Sequence, residues 1–197
     1  VLGGAMTGVW YVAAPLIVKY QQTQAGDAAF DSLAAFWEKY LSKFQVETPD
    51  PCLNAMLNVH NPRQCYITKH WSRYLSLYQL GYGARGIGFR DSSQDVMAIL
   101  ASVPKEGKEL LRKLLSVQRR SGCAMHQFNP LTMIGETGDS GEVEGGARYY
   151  SDDHLWIVLA VTAYVKETGD LGFLDEIIPY YEKNSKGQPL ETGTVRD

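Results

Sequence analysis

The stretch Tyr149-Tyr150-Ser151-Asp152-Asp153-His154-Leu155-Trp156 joins a glycine-rich segment to the longest apolar run of the chain, residues 155–165. Ser and Asp directly before an apolar run are typical of a helix N-terminus, because their side-chain oxygens accept hydrogen bonds from the first free backbone N–H groups. The pattern therefore predicts a buried helix that starts at Asp152. The paired carboxylates are either a helix cap or a catalytic acid, and taken alone the residue types favour the cap.

Helical spacing recurs along the rest of the chain. Apolar residues between Phe30 and Phe44 repeat with the helical period, which predicts a helix from Ala28 with one buried face. Asp50-Pro51 is a typical helix start, and Asn61-Pro62 is expected to break and restart the chain. Further helices are predicted around residues 96–100, from Pro104 to Gly122, and over residues 171–178.

The segments between these helices are predicted to be irregular. Residues 81–88 and 123–150 contain many glycines and little periodicity, which indicates loops. Residues 1–20 carry β-branched and aromatic side chains, which indicate a strand or a buried linker. With six or seven expected helices and no convincing sheet, the chain is predicted to be all-α. Its helical hairpins would form an array or toroid after a short irregular or strand-like N-terminal segment.

Composition excludes several classes of function. The 197 residues suit one domain, and 19 basic against 22 acidic residues give a net charge of −3 without a basic stripe for nucleic acid. The three cysteines are scattered, as in reduced thiols of a cytoplasmic protein. The apolar segment 9–18 is too short to span a bilayer and lacks the basic start of a signal peptide. No motif for a metal ion is present.

A second polar cluster is Arg85-Gly86-Ile87-Gly88-Phe89-Arg90-Asp91. Its glycines allow a close backbone approach to a ligand, and Arg and Asp side chains suit the vicinal hydroxyls of a sugar. The alternative is an Arg–Asp pair that holds a helix start, and the two interpretations are evenly balanced. His126, at the start of the second loop, is either a structural histidine or a ligand-binding one.

These clusters, taken together, resemble the disaccharide phosphorylases of glycoside hydrolase family 94. The resemblance rests on four motifs in the same order: Arg85-Gly-x-Gly-Phe-Arg90-Asp91-Ser-x-Gln94-Asp95, His126-Gln127-x-x-Pro130-Leu131, Ser151-Asp152-Asp153-x-Leu155-Trp156 and Glu167-Thr168-Gly169-Asp170. It implies an (α/α)6 toroid and an inverting, reversible phosphorolysis of a β-linked gluco-disaccharide or oligosaccharide to a sugar 1-phosphate. Inorganic phosphate would be the co-substrate, and no cofactor is implied.

The resemblance also implies roles for particular residues. Asp152 would be the general acid that protonates the glycosidic oxygen, and Asp153 a cap or a supporting partner. Tyr150 would be the aromatic platform under the sugar. The sugar-binding residues that the motifs imply are Arg85, Arg90, Asp91, Gln94, His126 and Tyr150.

The expected organisation is an N-terminal linker, residues 1–27, followed by the first half of the catalytic domain, residues 28–197. The phosphate-binding residues would lie beyond Asp197. The full-length protein is expected to be a hexosyltransferase, with a homodimer as its candidate assembly. Whether the chain is active alone stays open. Two alternatives remain: the related transfer domain of cyclic β-glucan synthases, and a non-catalytic carbohydrate-binding helical fragment.

Overall fold

A computed structural model describes residues 7–74, 86–136, 150–183 and 188–197. The chain divides into two compact units, Val1–Lys43 and Phe44–Asp197. The described residues of the first unit form helices α1 (Thr7–Tyr20) and α2 (Thr23–Leu41). No helix in the described ranges is both long and apolar enough to cross a membrane.

The described part of the N-terminal segment is helical, so the predicted strand is wrong there. Pro15 lies inside α1, where it removes one backbone hydrogen bond while the surrounding alanine and leucine residues favour a helix. α2 starts at Thr23, before the predicted start at Ala28, and runs through Gly26 and Asp27. The domain boundary at residue 27 stays a prediction.

The predicted buried face of α2 is present only in part. Tyr40 is buried and stacks on Phe36, with ring centroids 5.8 Å apart and an angle of 26° between the rings. Phe30 and Leu33, which belong to the same predicted face, are exposed. Periodicity identifies the helix but not the extent to which its apolar side is covered.

The second unit opens with a helical segment that is longer than predicted. Asp50 caps α3 (Pro51–Ala55), since its Oδ1 accepts from the Cys52 N–H at 2.8 Å, as the sequence indicated. The chain then continues through a π-helical turn, Met56–His60, into α4 (Asn61–Ile67) and a further π-helix, Thr68–Tyr74. Asn61-Pro62 therefore does not break the helix: the Asn61 N–H donates to the Met56 carbonyl five residues back, and the proline, which has no N–H to donate, follows at the start of α4.

Helix α5 (Phe89–Ile99) starts earlier than expected, so Arg90 and Asp91 lie on a helix and not in a loop. Gly88 precedes it in an extended conformation, and the Phe89 N–H donates to the His126 carbonyl at 2.9 Å. Apolar residues of α5 face inward while Arg90 remains partly exposed. The polar first turns of this helix mask its amphipathic pattern in the sequence.

The next two helices begin close to their predicted starts. α6 (Pro104–Leu115) opens with its proline in the first turn, and α7 (Asp153–Thr168) follows Asp152. α7 ends at Gly169, whose φ of 70° is in the left-handed region that glycine adopts at helix C-termini. The described part of the chain is mostly helical, which confirms the all-α class and is consistent with part of an (α/α)6 toroid.

Two small antiparallel sheets, which the sequence analysis did not predict, occur in the described part of the chain. The first contains β1 (Ile87–Gly88), β2 (Gln127–Phe128) and β3 (Gly135–Glu136) in that order. Ile87 lies opposite Phe128 and ties the start of α5 to the segment that carries His126. These strands fall in the two segments that were predicted as loops.

The second sheet replaces the predicted final helix. A 3₁₀ helix, Leu171–Asp175, is followed by β4 (Ile177–Pro179), which pairs with β5 (Thr192–Thr194). The β-branched pair Ile177-Ile178 favours a strand, and its partner strand lies more than ten residues further along the chain. That pairing is a long-range contact, which local periodicity does not reveal.

The core of the second unit lies among α5, α6 and α7, with side chains from β1, β2 and the 3₁₀ helix packed against them. Its largest fully buried apolar side chains are Ile87, Phe89, Val96, Ile99, Leu111, Leu114, Val117, Phe128 and Phe173. α7 is only partly buried. Ile157, Ala160 and Tyr164 face the core, whereas Leu155, Val158 and Leu159 form an exposed apolar stripe.

Gly86 allows the close contact between the start of β1 and the end of β2. Its φ is 92°, and a Cβ at this position would lie 2.4 Å from the Phe128 carbonyl oxygen.

We expect Gly86→Ala to destabilise the complete protein by about 2 kcal/mol or more, because backbone strain and a steric clash with backbone combine. Gly169→Ala is the matched control, since Gly169 also has positive φ but nothing lies within 4 Å of the place that its Cβ would occupy. Urea titrations that show equal losses for the two variants would contradict this account.

Glu176 joins α6 to the segment after α7. Arg112 donates to it through Nε and Nη2 at 2.8 and 2.9 Å, and Lys108 Nζ lies 2.7 Å from its Oε1. The hydrogen bonds from Arg112, then Lys108, lower the pKa of Glu176 from 4.5 to about 2. A carboxylate with a lowered pKa stabilises the fold fully above its unfolded pKa and loses that contribution as the pH falls toward its folded pKa.

We therefore expect Glu176→Gln to cost about 1 kcal/mol at neutral pH, once solvent screening of this partly exposed group is allowed for. The stability difference from the unmodified protein should narrow as the pH is lowered from about 5 toward 3. Thermal melting measured across that range tests this expectation. Glu191→Gln removes an exposed ion pair with Arg120 and is the control with little effect at any pH. A gap that stays constant with pH would show that Glu176 does not act through its charge.

Candidate active site

The N-terminal ends of α5 and α7 meet at an ion pair between the two predicted polar clusters. Arg90 Nη1 donates to Asp152 Oδ2 at 2.7 Å, and both side chains are nearly half exposed, at 41% and 45%. The packing of α5 against α7 below this pair brings them together. Residues 62 positions apart in the sequence therefore share one solvent-accessible site.

Asp152 occupies the N-cap position of α7 without acting as a cap. Its backbone is in the right-handed helical region, with φ −105° and ψ −20°, and its side chain makes no capping hydrogen bond to the described backbone. The interpretation of this residue as a cap is therefore wrong. Its carboxylate points instead to Arg90, and its backbone carbonyl accepts from the Leu155 N–H at 3.0 Å.

The charge state of Asp152 follows from this geometry. The hydrogen bond from Arg90 is the main cause that lowers the pKa of Asp152 below its usual value, with a smaller contribution from Trp156. Partial desolvation opposes this shift. Asp152 is therefore ionised near neutral pH in this arrangement, and an ionised carboxylate accepts protons rather than donating them.

Asp153 has a different environment from its neighbour. Its side chain is 1% exposed, and its Oδ2 lies 2.8 Å from His126 Nδ1. Asp153 Oδ1 is also buried and has no hydrogen-bond partner among the described residues. Burying a carboxylate costs free energy unless it has a partner, and the contact with His126 offsets part of that cost for Asp153. The geometry separates the two aspartates into an exposed and a buried one, as expected for adjacent helix positions.

His126 also supports Tyr150. Their rings are stacked, with centroids 4.1 Å apart and an angle of 24° between them. The backbone carbonyl of His126 accepts from Phe89 at the start of α5. His126 thus contacts the predicted platform residue, the buried carboxylate and the helix that carries Arg90, which favours a supporting role over direct ligand binding.

Two further predicted sugar-binding residues, Asp91 and Gln94, lie along the first two turns of α5. Asp91 is partly exposed, and Gln94 is exposed. Arg90 and Gln94, four positions apart, share one helix face. Arg85 lies outside the described residues, so its predicted role stays a prediction. The structure brings Arg90, Asp152, Asp153, His126 and Tyr150 together through direct contacts.

Sequence reasoning missed Arg73, which lies in the π-helix Thr68–Tyr74. Its Nε donates to the buried Asp95 at 2.8 Å, and its Nη1 lies 4.0 Å from Asp91 Oδ2. No motif marks Arg73 in the sequence, because its partners Asp91 and Asp95 lie on another helix. Only the packing of that helix against α5 reveals the contact.

The arrangement suits a polar ligand with several hydroxyl groups. The carboxylates of Asp152, Asp153 and Asp91 all raise the pKa of Arg90, and the hydrogen bond that Arg90 donates to Asp152 has the largest effect. Exposed carboxylates, a guanidinium and a supported aromatic ring are groups that can hydrogen-bond and stack on a sugar. Within the described ranges, no three His, Cys, Asp or Glu side chains converge in a way that could hold a metal ion.

The chain is similar to one known protein family over most of its length. Residues 36–191 match the family model described as the glycosyl hydrolase 94 superfamily, catalytic domain. The chain is 35% identical over 180 residues to an N,N'-diacetylchitobiose phosphorylase of Vibrio furnissii, which covers 84% of this chain and 22% of the relative. It is 32% identical over 176 residues to the protein of the same name from Vibrio proteolyticus, which covers 82% of this chain and again 22% of the relative.

A third similar protein is a cyclic beta-(1,2)-glucan synthase of Rhizobium meliloti, 30% identical over 84% of this chain and 5% of the relative. The chain thus spans about a fifth of the length of the phosphorylases it matches. The family model nevertheless covers well over half of the chain, and the resemblance found in its motifs is confirmed. The chain belongs to the glycosyl hydrolase 94 superfamily, through its catalytic domain.

Proposed function

We propose that this chain is part of an inverting glycoside phosphorylase, a hexosyltransferase that reversibly cleaves a β-linked gluco-disaccharide or oligosaccharide with phosphate. The observation that carries the proposal is the partly exposed carboxylate of Asp152, which pairs with Arg90 at the N-terminus of α7. Support also comes from the family match and from similar proteins that are named phosphorylases. In the proposed reaction, phosphate is a co-substrate and no other cofactor takes part.

The proposed chemistry needs one carboxylic acid in the cleft. Phosphate attacks the anomeric carbon from the face opposite the glycosidic bond, and the bond to the leaving sugar breaks. Asp152 gives its proton to the departing oxygen, so the products are an inverted sugar 1-phosphate and a free acceptor sugar. Because phosphate is itself the nucleophile, no general base is needed to activate water.

The reverse reaction uses the ionised state of Asp152. In synthesis, the acceptor hydroxyl gives its proton to ionised Asp152 while it attacks the sugar 1-phosphate, and phosphate leaves. Arg90 keeps Asp152 ionised in the arrangement described above. For cleavage, Asp152 must first take up a proton, and desolvation by bound sugar and phosphate together with the neighbouring Asp153 charge would raise its pKa.

The sugar would be held by residues around this carboxylate. Asp91, Arg90 and Gln94 on α5 offer partners for hydroxyl groups, and Arg85 is proposed to join them. Tyr150 would stack on the sugar, with His126 holding its ring. Asp153 supports the site from below through His126. We propose a cytoplasmic homodimer, with the phosphate-binding residues outside this chain.

A second candidate is the transfer domain of a cyclic β-glucan synthase. The observation in its favour is the 30% identity to the Rhizobium meliloti protein over most of this chain. A non-catalytic carbohydrate-binding role is the remaining alternative. Release of sugar that depends on inorganic phosphate distinguishes the proposed function from both. Glucose 1-phosphate and N-acetylglucosamine 1-phosphate, tested with several acceptors, would identify the substrate.

The first test replaces the proposed acid. We expect Asp152→Asn in the complete protein to lower phosphate-dependent sugar release by about 100-fold to 10,000-fold, because the amide cannot transfer the proton. Sugar affinity, measured by calorimetry, should change little. Asp175→Asn, at an exposed ion pair with Arg196, is the control that keeps its turnover. Unchanged turnover in Asp152→Asn would remove the proposed mechanism.

The second test concerns the ion pair. In synthesis Asp152 must be ionised, so the rate falls as the pH is lowered through its pKa. Arg90 lowers that pKa, and its removal should raise it. We therefore expect Arg90→Gln to move the acid limb of the kcat/KM profile for synthesis to higher pH. Arg112→Gln, which loses a different carboxylate partner, should leave the limb in place. A limb that does not move in Arg90→Gln would show that Asp152 is not the titrating base.

A further inference from the structure

Arg73 lies between two carboxylates of α5. Its Nε donates to Asp95 Oδ2 at 2.8 Å, and its Nη1 lies 4.0 Å from Asp91 Oδ2. Asp91 and Asp95 are four positions apart and therefore project from the same side of the helix, where their charges repel each other. The guanidinium of Arg73 offsets that repulsion from a neighbouring helix.

Asp95 anchors this arrangement in the protein interior. Its side chain is 8% exposed, and burial is the main cause that raises its pKa, while the charge and hydrogen bond of Arg73 lower it. The charges that act on Asp95 come from Arg73, Asp91 and Lys69. Lys69 itself is buried and paired with Glu106 of α6. Arg73 is therefore fixed at its Nε end by a buried partner, while its outer nitrogen faces the candidate site.

The contact at Asp91 differs in kind from the contact at Asp95. At 4.0 Å it is an ion pair and not a hydrogen bond, so Arg73 attracts the carboxylate without using its lone pairs. The same oxygen, Asp91 Oδ2, also lies close to Gly88, where a Cβ would approach it to 2.9 Å. Asp91 thus has a fixed cation and a backbone without a side chain as neighbours, and its carboxylate remains 44% exposed. A carboxylate held this way keeps its oxygens available to hydroxyl groups.

We propose that Arg73, anchored by Asp95, is a positioning residue that sets the orientation of the Asp91 carboxylate toward the sugar. The inference rests on the proposed role of Asp91 as a sugar-binding residue. Arginine is suited to this task because its planar fork holds its donors at fixed positions, so that Nε can bond one carboxylate while Nη1 faces the other. Arg73 acts through Asp91 and does not itself contact the sugar.

The test is a double-mutant cycle on the complete protein, in the synthetic direction with the sugar 1-phosphate as the varied substrate. Asp91→Asn is expected to raise KM for the sugar 1-phosphate about tenfold to a hundredfold, as for the loss of a charged hydrogen bond. Arg73→Gln is expected to raise the same KM about tenfold, with a much smaller change in kcat. Because Arg73 acts only through Asp91, the double variant should be no worse than Asp91→Asn alone.

Two further variants separate positioning from folding. Arg73→Gln leaves Asp95 buried without its partner, so Arg73→Gln combined with Asp95→Asn removes both charges and should fold normally while keeping the raised KM. Arg112→Gln is the matched control, since it also loses an arginine–carboxylate pair in the same unit. It is expected to lower the melting temperature and leave KM unchanged.

The outcomes are distinct. A normal KM in both Arg73 variants, with a raised KM in Asp91→Asn, would overturn the inference and leave the proposed function intact. Additive losses in the double variant would also overturn it, because they show that Arg73 acts independently of Asp91. A normal KM in Asp91→Asn would remove the proposed sugar-binding role of Asp91 and the inference with it.

Discussion

The short antiparallel pairing of β1 with β2 is the contact on which the candidate site depends. It places Ile87 opposite Phe128 and lets the Phe89 N–H donate to the His126 carbonyl at 2.9 Å. That pairing fixes where α5 begins, and hence where Arg90 projects. The same strand segment carries His126, which reaches Asp153 at the start of α7. Both helices that form the site are therefore aligned by a ladder of two residues on each strand.

The polar side chains of the site form a buried layer and a partly exposed layer. Below lie the pairs Asp153 with His126 and Asp95 with Arg73, in which each carboxylate is almost inaccessible to water. Above lies the partly exposed pair of Arg90 with Asp152. A buried carboxylate is costly to leave without its partner, so the lower layer holds its geometry. Arg90 and Asp152 in the upper layer are exposed enough to exchange their mutual hydrogen bond for hydrogen bonds to a ligand.

The covering of the core is uneven in the described part of the chain. α7 packs Ile157, Ala160 and Tyr164 inward, but Leu155, Val158 and Leu159 remain exposed on its other side. A helix that is apolar all round is usually buried all round. The similar phosphorylases are several times longer than the region they share with this chain. An exposed stripe of this kind is what a helix of a larger helical domain presents when only one of its sides is packed.

The sequence by itself determined the helices whose ends carry strong local signals. Asp50-Pro51, Pro104 and Gly169 mark their boundaries through capping and backbone preference, which act within a few residues. It also determined the family, because four motifs in a fixed order are specific in a way that no single motif is. Local periodicity, in contrast, predicted a helix where β4 forms and a loop where β1 and β2 pair, since a strand is stabilised by a partner distant in sequence.

Tertiary structure alone decided which side chains Asp152 and Asp153 contact. The sequence favoured a cap for Asp152 when the residues were taken alone, whereas in the structure its carboxylate turns to Arg90 and Asp153 is buried against His126. Arg73 carried no signal in the sequence, and only the packing of its helix on α5 places it beside Asp91 and Asp95. Residue types limit which ion pairs can form. Which of them do form depends on distances between segments that lie far apart in the chain.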